Sequence, residues 1–483
     1  MEDQHNPYIC FIKQHLSTPE FLAGIRALWS ESYYPLFYFG SGEHLYCGMG
    51  KDGCQPVVLQ CGEPADLVYP SLSRDIPAFH ILERELYEET GIIPQEHPWL
   101  KPLRYPSGSK QSMSGYPFLS SDSPSLHEVG VGPVHAGVIE PGHFRFICQG
   151  ETIQHLEIQL GYQHRGLTRL FQHGDIRHKM CLAESIAGDT SIGHGLAYCL
   201  VTEALCGVEV NGKQAALRNI ALELERIAMH LADLSALSGD VAYLSGLNFF
   251  AAIRTTVINS SLAICGSRFG KRWLKPGGVN YGLSEAQNRT LSRILDTARA
   301  QVERCAVALF NSAGVQNRFD STGIISRQEA LELNFSGVTA KAAGLERDAR
   351  DGFPLLAQAG YRVLSCPEGD VHARAWLRFL ETIQSIEMVQ ELLATLPEVN
   401  AEESIELPAP EPERMVISIV EGWRGRIVHV AKTNSEAAME FYRIYDPSIF
   451  NWFALSLAVR GEGISDFPLC NKSFNLSYCG NDL

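Results

Sequence analysis

The chain of 483 residues has thirteen cysteines, from Cys10 to Cys479, yet no two of them are spaced CxxC. Iron–sulfur clusters and structural zinc are usually held by such pairs, so neither is expected here. Cys47, Cys54 and Cys61 recur every seven residues but fall in short strand-like segments separated by glycines. The plain reading is reduced, mostly buried thiols in a cytoplasmic protein. An uninterrupted apolar run of about 18 residues is also lacking, which argues against a membrane-spanning helix. The nearest approach, residues 192–210, contains His194, Glu203 and Cys206 and reads as a buried helix. The N-terminus, MEDQHNPYIC, lacks the basic-then-apolar pattern of a signal peptide. Clustered cationic charge is missing too, and a net charge of −15 argues against nucleic acid as a partner.

What is present is an ordinary globular composition, 45% hydrophobic and 20% charged, in a chain long enough for two or three domains. Residues 1–104 read as a small α/β domain. Helical spacing over 21–30 precedes strand-like segments at 36–39, 44–47 and 57–59, and an amphipathic helix over 76–89 closes the unit. Eight serines, two glycines and three prolines crowd residues 105–125, which predicts an exposed, flexible linker. The domains on either side are expected to keep their folds when separated. The second domain, 126–483, opens with strand-like segments at 132–138 and 143–148 and then turns helical. Leu217, Ile220, Leu224, Ile227, Leu231 and Leu234 alternate steps of three and four, the seam of a bundle helix. Residues 374–396 repeat that pattern, and Gly207 and Gly239 are placed to end helices. The fold class expected is α+β: a small α/β domain, then a mainly helical domain with an N-terminal β-subdomain.

Two segments carry the chemistry. Residues 185–194 read SIAGDTSIGH and residues 445–452 read YDPSIFNW. They resemble the metal-binding segments of nickel–iron hydrogenase large subunits, R-V-C-G-x-C-x-x-x-H and D-P-C-x-x-C. Ala187, Thr190, Ser448 and Asn451 stand at the four thiolate positions. Alanine, hydroxyls and an amide cannot replace the soft thiolates that hold nickel and low-spin iron, so no metal site is expected and an active hydrogenase is excluded on ligand chemistry. The resemblance extends further. Residues 83–104 are similar to the C subunit of bacterial complex I. Gly132-Pro133-Val134-His135, Glu140-Pro141-Gly142-His143, residues 161–166, 344–350, Gly369-Asp370 with Arg374, and Gly422-Trp423-Arg424-Gly425 are similar to its D subunit. The fused C–D order and residues 468–474 resemble large subunits of hydrogenase-4 and formate hydrogenlyase-type complexes, in particular relatives lacking the four cysteines.

That resemblance implies a peripheral subunit on the cytoplasmic face of the inner membrane, within an ion-translocating redox complex. Its implied partners are a small iron–sulfur subunit (complex I B-like), a ferredoxin-like subunit, a membrane subunit (complex I H-like) and antiporter-like subunits. No cofactor is expected to be bound by this chain; a quinone is the candidate acceptor, and the iron–sulfur cluster would sit in the partner. By resemblance His135 and His143 belong to a loop that reaches a quinone headgroup, where a histidine can hydrogen-bond the oxygen and deliver a proton. The alternative is two structural loop histidines, preferred for His135. Gly188 stands where complex I relatives have the partner tyrosine. Glu140 matches a hydrogenase proton-relay glutamate, against a surface carboxylate. Arg424 matches an arginine poised over the metal; here it either binds an anion or pairs with Asp189 or Asp446. Asp189, Thr190, His194, Asp446, Ser448 and Asn451 are expected to converge, forming a hydrated polar cavity or a substrate pocket more readily than a hard-cation site. His164 and Arg165 read as structural. Two functions follow: electron transfer to a quinone or another acceptor without nickel–iron, or a non-catalytic scaffold joining the iron–sulfur subunit to the membrane arm.

Overall fold

In the computed structural model, residues 12–106, 112–135, 139–351, 354–396 and 398–483 are described. The first unit builds a four-stranded sheet from β1 (Ile12–Leu16), β2 (Tyr34–Ser41), β3 (His44–Gly50) and β4 (Val57–Gly62), with α1 (Thr18–Ser30) between the first two. The strand order is β1-β4-β3-β2, with β1 parallel to β4 and the other pairs antiparallel. Short parallel strands β5 (Val68–Pro70) and β6 (Ile93–Gln95) flank α2 (His80–Thr90). α1, β2, β3, β4 and α2 fall on or beside the segments expected at 21–30, 36–39, 44–47, 57–59 and 76–89, whereas β1, β5 and β6 have no counterpart among those expectations. Gly91, left-handed at φ 77°, ends α2 as glycine can without steric cost.

A second antiparallel sheet follows: β7 (His127–Val131), β8 (His143–Gln149) and β9 (Thr152–Gln159). The strand expected at 132–138 is thus displaced toward the N-terminus; residues 136–138 lie outside the described residues. Short helices α3 (Leu167–Gln172) and α4 (Met180–Ala183) lead into α5 (Ser191–Leu205), α6 (Gly212–Asp240) and α7 (Leu244–Cys265). The minimal strands β10 (Leu274–Lys275) and β11 (Gly278–Val279) precede α8 (Glu285–Phe310) and the short helices α9 (Ala313–Phe319), α10 (Arg327–Glu332), α11 (Gly337–Ala342) and α12 (Pro354–Gln358). The long α13 (Val371–Thr395) follows. A third antiparallel sheet, β12 (Met415–Glu421), β13 (Arg426–Thr433) and β14 (Met439–Tyr445), leads to α14 (Pro447–Ala458), α15 (Phe467–Phe474) and α16 (Tyr478–Asp482). Helix α6 runs through Gly239 to Asp240, so that glycine does not end it as expected; Gly207, at φ 65°, follows the end of α5.

α5 is buried along almost its whole length, His194 and Glu203 included. It packs on β12 and β13, while α6, α7, α8 and α13 form the bundle around Leu217, Ile220, Leu224, Leu231, Ile386 and Val389. Among the described residues one helix, α7, is long and apolar enough to cross a membrane by composition, with 39% of its apolar window buried. Leu244 and Phe249 on it are both 61% exposed.

Two expectations meet a different structure. The apolar core of the first unit is not closed on itself: Phe37, Phe39 and Tyr46 pack with Met415, Ile417, Val428, Phe441, Tyr445 and Ile449 of the third sheet and the helix after it. Phe39 and Tyr46 each lie with ring centroids 5.0 Å from Phe441. In residues 105–125, of which 107–111 lie outside the described residues, most of 112–125 is exposed as expected, but the segment is held at a few points. Tyr116 is buried, the Gln159 amide donates to Met113 O (2.8 Å) and Tyr105 Oη (3.0 Å), and Leu119 N–H donates to Glu157 (2.5 Å). One tyrosine with a polar neighbour on each side offsets ordering that serine content alone would not.

Candidate functional site

The two hydrogenase-like segments meet where α5 begins and β14 gives way to α14. Asp446 caps α14 by accepting from Ser448 N–H (2.8 Å), and its other oxygen lies 3.0 Å from His194 Nε2 on α5. The four-residue turn between β12 and β13 approaches from the side. Its Trp423 indole donates to Asp189 O (3.0 Å) and Thr190 Oγ1 (3.1 Å). Arg424 clamps Asp189 with both terminal nitrogens (2.6 and 2.7 Å), donates to Thr190 Oγ1 (3.2 Å), and uses Nε on Asn475 O (2.6 Å). Glycine is required where this turn abuts α11: a Cβ on Gly337, at φ 61°, would stand 2.0 Å from Arg424 O.

At the four thiolate positions the side chains serve the protein itself. Ala187 is fully buried. Thr190 receives Trp423 and Arg424, and Ser448 Oγ accepts from Ser477 N–H (2.9 Å). The Asn451 amide accepts from Ser336 N–H (3.0 Å) and donates to Ser336 O (3.1 Å), the reciprocal pairing of a strand neighbour. Convergence of Asp189, Thr190, His194 and Asp446 is as expected, but they meet as bonded pairs.

Polarity within the cluster is fixed by one anion. Burial raises the proton affinity of Asp446, but the His194 hydrogen bond, the Arg424 charge and Ser448 N–H outweigh it and hold the carboxyl below its usual range. His194 Nε2–H therefore donates to Asp446, and its Nδ1 lies 3.1 Å from His429 Nε2. His429 Nδ1 lies 2.7 Å from the Tyr442 hydroxyl. Burial, with His194 alongside, keeps His429 well below the imidazole range, so it stays neutral. Tyr442, fully buried and stacked on Phe171 at 4.3 Å, ends the chain.

Glu225 of α6 is a further member. It is buried and accepts from Ile192 and Gly193 N–H (2.7 and 3.0 Å) at the N-terminus of α5. Burial pushes its carboxyl up to about 8 against those two donors. Sequence reading missed Glu225 and His429. A carboxylate beside an apolar seam, and a histidine in a strand, carry no spacing signal of their own.

Toward solvent the arrangement opens at Gly188, which is exposed; a Cβ there would meet nothing within 4 Å. The neighbouring Asp189 side chain is 38% exposed while Arg424 is 5% exposed, so the carboxylate faces outward from a buried cation. Burial raises the Asp189 carboxyl, but Arg424 more than offsets it and leaves it lowered. The Cys479 thiol lies against Gly188 and Glu140, and burial together with the Glu140 charge pushes it up to about 11. Glu140 thus stands across Cys479 from Gly188.

The two loop histidines bond within their own loop. His135 Nε2 lies 2.8 Å from Gly142 O and His143 Nδ1 lies 3.1 Å from Gly132 O. With Nδ1–H given to that carbonyl, His143 Nε2 is a lone-pair acceptor, and among the described residues it is buried without a partner, as is Arg145 Nε two residues on. The Phe118 ring covers His143 at 5.3 Å. Neither histidine bonds to the Asp189–Arg424 or His194–Asp446 pairs. His164 Nδ1 bonds Asp482 O (2.7 Å), and Arg165 donates to Ser185 O and Ile186 O.

Residues 240–415 match the family described as the 49-kDa subunit of respiratory-chain NADH dehydrogenase. The chain is 26% identical over 456 residues to hydrogenase-4 component G of Escherichia coli K12, covering 90% of this chain and 79% of that protein. It is 25% identical over 299 residues to the C/D subunit of NADH-quinone oxidoreductase from Phocaeicola vulgatus, 62% of this chain and 58% of that one. Among solved structures, a chain of the membrane-bound sulfane sulfur reductase, an archaeal respiratory membrane complex, superposes with a TM-score of 0.69 at 20% identity, covering 75% of this chain and all of that one. The fold is α+β and consistent with a hydrogenase-large-subunit-like fold. The chain resembles both a fused C–D subunit of complex I and the large subunit of hydrogenase-4-type hydrogenases, and is related to the subunits of multisubunit, membrane-associated oxidoreductases.

Proposed function

We propose that this chain is the large subunit of a complex I-like, hydrogenase-4-like membrane complex and works without nickel–iron, passing electrons from a cluster in a partner subunit to a quinone or another acceptor. One observation carries the reading: the frame is retained while each thiolate position is filled by a side chain committed to bonds or packing within the protein. The acceptor site that fits best is the margin between the His135–His143 loop and the Gly188 opening, and not the bonded interior. His143 Nε2, buried and unpartnered, is a group that fits a quinone: neutral it accepts from a hydroxyl, and protonated it donates to a carbonyl oxygen. A quinone would supply the two-electron, two-proton chemistry. Arg424 holds Asp189 in place, and Glu140 and His143 are the groups able to move protons at the margin. The exposed apolar side chains of α7, Leu244 and Phe249, support docking of a partner, for which the small iron–sulfur subunit is proposed, with the assembly on the cytoplasmic face.

A second reading, a non-catalytic scaffold, is favoured by the mutual bonding of Asp189 with Arg424 and of His194 with Asp446. Turnover of the purified complex separates the two. His143→Ala is expected to lower electron transfer about a hundredfold or more while the complex still assembles; full turnover in an assembled variant establishes the scaffold instead. Metal analysis of the purified chain is expected to find no stoichiometric nickel, and about one nickel per chain would overturn both readings.

A further inference from the structure

We propose that the buried ion cluster beneath the Arg424 turn is a binding site for one exchangeable proton, carried by Glu421. The cluster joins five parts of the fold. α6 contributes Glu223, Arg226 and His230, α11 contributes Lys341, α13 contributes Glu381, the 348–350 turn contributes Asp348 and Arg350, and β12 ends in Glu421. All are buried. Arg350 pairs with Asp348 (2.8 Å) and Glu223 (3.2 Å), Arg226 with Glu223 (3.0 Å), and Lys341 with Asp348 (2.8 Å) and Glu381.

Counting charge gives three permanent cations, Arg226, Lys341 and Arg350, against four carboxylates, Glu223, Asp348, Glu381 and Glu421. One proton is needed for neutrality, and an unbalanced charge in such a place is costly. Three of the carboxylates hold close partners and stay ionised. Glu421 is the exception. Among the described residues its Oε2 accepts only Ala349 N–H, at 3.1 Å, while Oε1 accepts no hydrogen bond and lies 4.0 Å from Lys341 Nζ. His230 is the other seat for the proton, and geometry disfavours it. Nε2–H already serves Glu381 at 2.7 Å, and a proton on Nδ1 would be a buried N–H without an acceptor. Burial also lowers His230, while burial and Asp348 raise Glu421 to about 7. Tyr361, the remaining titratable group nearby, is pushed far above neutrality by burial and stays protonated.

The position matters because Glu421 immediately precedes the Gly422–Gly425 turn. Arg226 donates to both Glu421 O (2.6 Å) and Gly422 O (3.0 Å), and Trp423 spans from His230 to Asp189 and Thr190. When Glu421 releases its proton to water, the cluster gains one negative charge directly behind the residues that hold Asp189.

Infrared difference spectra of the purified full-length protein, taken between about pH 6 and pH 9, test this. Carboxylic acid carbonyl absorption from Glu421 and from Glu225 is expected at the acid end and fades as the pH rises; the component that belongs to Glu421 is absent from Glu421→Gln and retained in both His230→Gln and Glu225→Gln. Total absorption unchanged in Glu421→Gln, or a component lost only with His230→Gln, overturns the proposal. Thermal unfolding gives an independent readout. The carboxyl of Glu421 is raised from 4.5 to about 7 in the fold, so the native protein loses stability as pH rises through that window, and Glu421→Gln does not. The melting temperature of the variant relative to wild type should therefore climb between about pH 5 and pH 8. A constant difference overturns the proposal, and Glu421→Met, similar in volume and uncharged, replaces the glutamine variant if that chain does not accumulate.

Discussion

At the scale of single residues, the positions that once suited thiolates now serve the architecture. Asn451 is the clearest case, because its amide satisfies both backbone groups of Ser336 inside the protein. Asn451→Ala strands a buried N–H and a buried C=O together, each costing about 1–3 kcal/mol. Chemical denaturation should show a loss of about 2–5 kcal/mol; a loss below about 0.5 kcal/mol would mean that Ser336 finds other partners and that the interior is not closed by this residue. Much of this was legible in the chain itself. The Asp446-Pro447 and Gly188-to-His194 spacings announced which residues converge, and the pairing of Arg424 with Asp189 was one of two named partners. What could not be read was which further residues join these pairs. His429 and Glu225 come in through long-range packing of β13 and α6 against α5 and not from any local pattern.

Elements tell a similar story with a different failure. Periodicity located α1, α6 and α13, and short apolar runs bounded by turn residues located β2, β3 and β4, which are buried along nearly their whole length. It also made the first unit look self-sufficient, since a sheet apolar on both faces reads the same whether its cover is local or distant. The cover here is distant: Phe441 and Tyr445 of β14 lie on Phe39, Tyr46 and Phe37. A fragment ending at residue 104 should therefore expose this aromatic face. We expect it to bind a hydrophobic dye and self-associate, and to become monomeric and dye-free when co-expressed with residues 105–483. A monomeric, dye-silent fragment on its own would show that the shared core is dispensable for the small unit. The serine-rich stretch misled for the same reason, because a single buried Tyr116 and its neighbours count for more than composition averaged over twenty residues.

Over the whole molecule, one long-range contact has a consequence for biosynthesis. The aromatic face of the first unit emerges early, but the strand that covers it is encoded more than 300 residues later. At about 5–20 residues per second, that face waits on the order of half a minute before Phe441 exists. Throughout that interval the nascent chain displays two strands of aromatic residues with nothing of its own to place on them, the situation in which chaperones engage and neighbouring chains on one message adhere. Completion of the first domain is thus timed by the last third of the chain. A ribosome that stalls anywhere before β14 leaves behind a sticky N-terminal fragment, so the yield of this protein is set as much by how steadily it is translated as by how stable it finally is.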